Sequence, residues 1–171
     1  MIDVKIDNKN VIQAMERLAN AAVNPRPALL AIGESLVVST KKRFESSTAP
    51  DGSRWKPNSQ ATYLGHLGNS KSNHRKDGRI NSRGAEKMLG KKPLIGKTGL
   101  LAQQISYALD GNGLRIGSPM EYAAMQQFGG KKSRFHNLWG DIPARPFLGI
   151  SDADETMILK TVNDYLRSVI D

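Results

Sequence analysis

Apolar and polar positions alternate from the first residues, where Ile2, Val4 and Ile6 interleave with Asp3, Lys5 and Asp7. A period of two predicts a short half-buried strand, and Asn8 and Asn10 then offer helix caps. From there the period lengthens. Val11, Met15, Leu18, Ala19 and Ala22 share one helical face, Asn24-Pro25 ends that helix, and Pro27, tolerated in a first turn, opens a longer one. On this second helix Leu29, Ile32, Leu36, Thr40 and Phe44 form a stripe. Both stripes are expected in the core, because burying one large apolar side chain contributes about 1.5–3 kcal/mol.

After Phe44 the run Ala49-Pro50-Asp51-Gly52 signals a turn, and Trp55, shortly before Pro57, is expected to plug an edge of the core. Between Gly65 and Gly96 apolar periodicity nearly vanishes, with Met88 and Leu89 as a weak exception. The segment 65–97 reads as a mobile basic insertion within one domain spanning 1–171. Thr98 is placed to cap a short turn through Leu100 and Leu101. Ile105, Tyr107 and Leu109 then alternate with polar or small residues, Asp110-Gly111-Asn112-Gly113 supplies a hairpin turn, and Leu114 and Ile116 continue on the return strand. A hairpin over about 103–118 follows. Met120 to Phe128 reads as a short helix closed by Gly129-Gly130. Finally Ser151 and Asp154 make a capping-box-like pair. Ala153, Met157, Thr161, Tyr165 and Val169, backed by Ile158, Val162, Leu166 and Ile170, define a long terminal helix. The elements predict an α+β fold: a small antiparallel sheet, formed by the N-terminal strand and the hairpin, packed with the N-terminal helices and the long C-terminal one.

A length of 171 residues suits one domain, and its 39% hydrophobic content is slightly low for a compact globule. The chain has no cysteine, which excludes disulfides, thiol catalysis and thiolate metal sites. No apolar run approaches the roughly 18–20 residues that span a bilayer, and the N-terminus lacks the pattern of a signal peptide. A soluble protein made in the cytoplasm, without membrane contact, is expected. The formal charge of +9 is unevenly spread. Between Gly65 and Lys97 nine Lys and Arg stand against Asp77 and Glu86, about +7 in that span. Lys71, Arg75, Lys76, Arg79, Arg83, Lys91 and Lys92 are the candidate electrostatic contacts. Docking to acidic protein surfaces, or a solvated loop that orders only on assembly, fits them better than nucleic acid, since the span holds no Phe, Tyr or Trp to stack on bases. Charge alone still supports weak, salt-sensitive DNA contact. A small basic nucleic-acid-binding module is therefore the alternative reading.

Catalytic signatures are missing. Gly96-Lys97-Thr98 resembles the end of a phosphate-binding loop, but Gly90 stands one residue too far upstream and no buried strand precedes it. His66, His74 and His136 are scattered without the spacing of metal ligands, and no Gly-x-Ser-x-Gly elbow occurs. No catalytic, metal or cofactor residue is assigned, and an enzyme is not expected.

The most informative stretch is Ile142-Pro143-Ala144-Arg145-Pro146-Phe147-Leu148-Gly149, where two prolines bracket one arginine between apolar anchors. Each proline lacks an amide hydrogen and pushes its predecessor towards extended geometry, so the segment is taut. It completes an ordered set of landmarks: Phe44, Pro50-Asp51-Gly52, Trp55-Lys56-Pro57, Lys97-Thr98-Gly99-Leu100-Leu101, Ile116-Gly117-Ser118, Tyr122-Ala123 and Gln126 to Gly129. Their order resembles the virion morphogenesis family of tailed bacteriophages, the tail-completion proteins of Mu-like and related contractile-tailed phages. The likeness runs from about Ala28 to the C-terminus except for the basic insertion. Many members carry a histidine near Gln126-Gln127, where this chain has none.

The resemblance implies a non-enzymatic virion protein of the tail or neck. Such a protein finishes the tail at its head-proximal end, as a tail terminator, and supports head–tail joining. Its implied partners are copies of itself in a ring, a hexamer among the options, together with tail-tube and head-connector proteins. A closed ring needs two different patches per subunit. Phe135, Trp139, Arg145 and Phe147 are the candidate contacts, because aromatic residues and arginine are enriched at interface hot spots. Phe147 is placed between core and interface, and the taut segment is expected to anchor it inward while presenting Arg145 outward to the next subunit.

Overall fold

Helices α1 (Lys9–Val23) and α2 (Arg26–Ser46) open the chain, and the break between them falls at Asn24-Pro25, where proline removes a helical hydrogen-bond donor. The computed structural model describes residues 9–68, 70–96, 98–138 and 140–170, so the alternation at Ile2, Val4 and Ile6 lies outside the described residues. Then come α3 (Gln60–Leu67), a 3-10 turn at Lys71–Asn73, α4 (Ser82–Leu89) and α5 (Leu100–Gln103). The hairpin β1 (Ser106–Asp110) and β2 (Gly113–Gly117), α6 (Ala123–Phe128) and α7 (Asp152–Ser168) complete the chain. The fold is α+β, with a two-stranded antiparallel sheet among the described residues. No helix among them is long and apolar enough to cross a membrane.

The chain gathers into two compact units, each drawn from separated stretches of sequence. The first comprises Met1–Val38, Ser106–Ile116 and Ile150–Asp171. Its buried residues include Ala21 on α1 and Ala28, Ile32 and Leu36 on α2. The hairpin turns at Gly111, whose φ of 56° lies in the left-handed region that glycine tolerates, and Arg115 pairs with Asp110 beside the turn. Tyr107 of β1 lies against the backbone of α2 at Gly33. A Cβ there would sit 2.5 Å from the tyrosine ring, so only glycine permits this approach. Helix α7 starts with a full capping box: Ser151 Oγ accepts from the Asp154 amide, while the Asp154 carboxylate accepts from the Ser151 amide. Near its far end, Tyr165 donates its hydroxyl hydrogen to the carbonyl of Asn24 at 2.8 Å.

The stripe on α1 departs from expectation. Val11 and Met15 are 60% and 64% exposed, Ala19 and Ala22 are also exposed, and only Ala21 is fully buried. The helix rests on a narrow edge of Ala14, Leu18 and Ala21, which at 100° per residue lies to one side of the broad apolar face. The apolar period correctly marked a helix but not the side that packs within this chain.

The second unit comprises Ser39–Ile105 and Gly117–Gly149. Phe44, Trp55, Leu67, Leu101, Ile105, Ala123 and Phe147 are its buried apolar residues, so Trp55 does fill the core. Within 65–97 order comes from polar side chains bonding to backbone, which leaves no apolar period to read. Buried Asn73 donates from its side chain to the Leu67 carbonyl at 2.8 Å. Asn81 caps α4 by accepting from the Gly84 amide at 2.9 Å, and its Nδ2 donates to the Ser72 carbonyl. Residues His74 and Ile80 bridge across the intervening turn, and α4 packs on both the 3-10 turn and α3.

Replacing Gly33 by alanine should cost about 1–3 kcal/mol through overpacking against Tyr107, seen as a lowered urea midpoint. The variant Gly33→Ala/Tyr107→Ala should lose less than the sum of its parts, because one change removes the clash made by the other. Strict additivity would show that the two residues are not in contact.

Candidate interaction site

The proline-bracketed segment folds into the interior of the second unit, and its course is dictated by where its backbone groups find partners. Pro143 and Pro146 bring no amide hydrogen. Gly130 and Ile142 exchange both backbone hydrogen bonds, at 2.9 and 2.8 Å, which fixes the start of the segment beside the end of α6. The Arg145 amide then donates to the Gln126 carbonyl at 2.8 Å.

Beyond Arg145 the partners are side chains. Gln127 reads two consecutive peptides: its Oε1 accepts from the amides of Phe147 and Leu148 at 2.9 and 3.0 Å, and its Nε2 donates to the Leu148 carbonyl at 2.9 Å. Trp55 Nε1 donates to the Pro146 carbonyl at 2.7 Å. Arg43 Nη1 donates to the carbonyls of Phe147 at 3.0 Å and Gly149 at 2.8 Å. These contacts hold Phe147 fully buried, its ring 5.2 Å from that of Phe44, which meets Trp55 edge-on at 5.4 Å.

Phe147 is thus anchored inward. Arg145, however, is turned the other way from the expected outward presentation. It is 7% exposed, with Nε donating to the Lys56 carbonyl at 2.8 Å and Nη2 to the Pro57 carbonyl at 2.9 Å. Lys56-Pro57 lies outside helix and strand, and the planar guanidinium fork donates to both of its carbonyls. Burial pulls the Arg145 guanidinium below its ordinary pKa, with Tyr63 acting in the opposite sense. An arginine starts so high that it stays charged at neutral pH. Beside it lies a cleft of about 670 Å³, lined in part by Leu94, Ile95, Leu100, Tyr122, Ile142 and Pro143.

The other predicted contact residues are more dispersed. Phe135 is 42% exposed, with the Arg134 guanidinium 5.8 Å from its ring centre, and Trp139 lies outside the described residues. Lys71, Arg75, Lys76, Arg79 and Arg83 are all exposed and fall within one small module, the stretch from α3 to α4. Lys91 is half-buried with its Nζ donating to the Ile95 carbonyl, and Lys92 Nζ donates to the Glu45 carbonyl at 2.7 Å. Arg43 and Gln127 were not anticipated. For Arg43 the signal was present: three residues after Thr40 and adjacent to Phe44, it falls on the buried stripe of α2. Gln127 carries no local signal.

The chain that holds this tethered segment belongs to a known class of phage assembly proteins. Residues 6–167 match the phage virion morphogenesis family, so the chain belongs to that family and has a structural or assembly role in building a phage particle. It is similar to Mu-like prophage FluMu G protein 2 of Haemophilus influenzae, with 28% identity over 171 residues and 99% of each chain covered. No solved structure matches it.

Removing the Arg145 side chain empties a buried site and leaves the Lys56 and Pro57 carbonyls without its part-buried hydrogen bonds. Arg145→Ala should therefore lower stability by roughly 2–4 kcal/mol, and Arg145→Lys should recover only part of that, since a single ammonium lacks the fork. Urea denaturation checks both, and an unchanged midpoint for Arg145→Ala would contradict the inward placement.

Proposed function

We propose that this protein completes the phage tail at its head-proximal end and supports head–tail joining, acting as a non-enzymatic component of the virion neck built from several copies of the chain. The observation that carries the proposal is the family match over residues 6–167, which spans nearly the whole chain. The Mu-like prophage relative, matched along nearly its whole length, supports the same context. A ring of identical subunits contacting tail-tube and connector proteins is the arrangement that suits such a position, and a ring uses two different patches on each copy.

Exposed apolar side chains supply contact material on both units. Val11, Ile12, Met15 and Val23 lie on α1, and Leu89, Phe128 and Phe135 lie in the second unit. DNA binding is the second reading, favoured by the exposed Lys71, Arg75, Lys76, Arg79 and Arg83. It requires affinity that falls steeply with salt, and no retention of duplex DNA at low salt in a filter assay would remove it.

A phage that cannot make this protein should accumulate filled heads and separate tails under negative-stain electron microscopy. Adding the purified protein to that lysate should restore joined particles. Intact, infectious virions formed without it would overturn the proposal.

A further inference from the structure

We infer that the cleft beside Arg145 receives an apolar segment of a different protein, and that a carboxylate on that segment pairs with the arginine. The inference rests on the assembly reading above for the partner's being a protein of the particle, and adds the chemistry of the contact.

The first observation is a guanidinium with unused capacity. Arg145 is only 7% exposed, yet its protein acceptors engage Nε and Nη2 alone, and Nη1 has no acceptor among the described residues. That nitrogen is not sealed off, because every fully enclosed side-chain nitrogen or oxygen described has a partner. Arg145 lines the cleft, which lies wholly within the second unit, so its spare N–H groups can be met from there.

The second observation is an uncompensated charge. Arg145 forms no ion pair among the described residues, and both of its acceptors are neutral carbonyls. Asp141, the acidic residue on the cleft lining, accepts from the Lys132 amide instead. Lys91 and Lys92 also line the cleft, each donating to a backbone carbonyl, so three cations face one anion there. Burial pulls the arginine's pKa down, and the group that opposes this is the Tyr63 phenol rather than a carboxylate. A charge taken out of water without a counter-ion is costly. An incoming carboxylate supplies the counter-ion and fits the planar donors.

The third observation is the wall. Leu94, Ile95, Leu100, Ile142 and Pro143 line the cleft, whose volume of about 670 Å³ is in the range of ligand-binding clefts. Arginine matches carboxylate and phosphate alike, and the walls decide between them. A nucleic-acid strand repeats its charge at every nucleotide, whereas one buried guanidinium among aliphatic side chains matches one acid flanked by apolar residues. A second copy does not offer such a segment. Apart from Asp141 on the lining itself, the described acidic residues belong to helices, tight turns or the hairpin.

The probe is a random short-peptide library displayed on yeast and selected against the full chain. Enriched peptides should share an Asp or Glu flanked by apolar residues. In fluorescence anisotropy, replacing that acid by its amide should weaken binding at least about tenfold. Leu100→Glu, at a 38% exposed lining position, should do the same, while Leu89→Glu, an equal charge change at an 88% exposed position off the lining, should bind like the parent. Circular dichroism should show both variants folded. In ¹⁵N spectra the Arg145 Nε–H signal, assigned by its absence from Arg145→Lys, should shift with the acidic peptide and not with its amide form.

No enrichment, or enriched peptides without a shared acid, overturns the inference. Equal loss in Leu100→Glu and Leu89→Glu also does so, since it reports diffuse attraction to a basic protein. Inorganic phosphate that moves the Arg145 signal as far as the peptide would mean a free-anion site, and short duplex DNA that displaces the peptide would mean a nucleic-acid site. Self-association of the parent that the selected peptide dissolves would put a second copy in the cleft. The head–tail joining assay is independent: protein that restores particles but fails the peptide tests loses this inference and keeps the proposed function.

Discussion

Hydrogen bonding by the backbone around Phe147 is the constraint on which the second unit depends. A segment with two prolines cannot join a sheet ladder or a helix, yet Phe147 must be buried to complete the cluster with Phe44 and Trp55. Burying it drags peptide groups out of water, and each left unpaired would cost on the order of 1–3 kcal/mol. Gln127, Trp55 and Arg43 come from three different parts of the chain to meet those groups. Once they do, the end of α2, the loop at Trp55 and the end of α6 have little freedom to move independently. The aromatic cluster and the polar clamp are two aspects of one solution.

Much of the architecture was legible because it is determined locally. The break at Asn24-Pro25, the hairpin turn at Asp110–Gly113, the glycine after α6 and the capping box of α7 each depend on residues within a few positions of one another. The α3–α4 module was not legible, since Asn73 and Asn81 replace an apolar stripe by side-chain-to-backbone bonds whose partners cannot be inferred from period. The direction of Arg145 was hidden for a related reason. Flanking prolines announce a rigid segment, but the carbonyls that claim the guanidinium lie about ninety positions away in sequence. On α1 the pattern was read correctly as helical and misread as core, because periodicity reports an apolar face without saying whose surface covers it.

Membership of the phage virion morphogenesis family gives these features a setting. Assembly proteins are selected for surfaces that meet other proteins, and this chain separates its investments accordingly. Its best-determined interior lies around the proline-bracketed segment, whereas its unsatisfied apolar surface lies on α1 and its positive charge in the second unit. The candidate contact residues read from sequence divide along the same line. Phe147 and Arg145 serve the interior, and the basic residues from Lys71 to Arg83 remain on the surface.

The Arg145 fork also bears on how such a protein can diverge. Its acceptors are the main-chain oxygens of Lys56 and Pro57, and a carbonyl is the same whichever side chain accompanies it. Gln127 likewise addresses the peptides of Phe147 and Leu148 and ignores their substituents. A framework recognised through its backbone leaves neighbouring positions free to drift, because no compensating change is needed at the residue doing the recognising. The arginine would then be a slow-changing letter in a text whose other words are rewritten, and two chains could share this fork while agreeing at few positions around it.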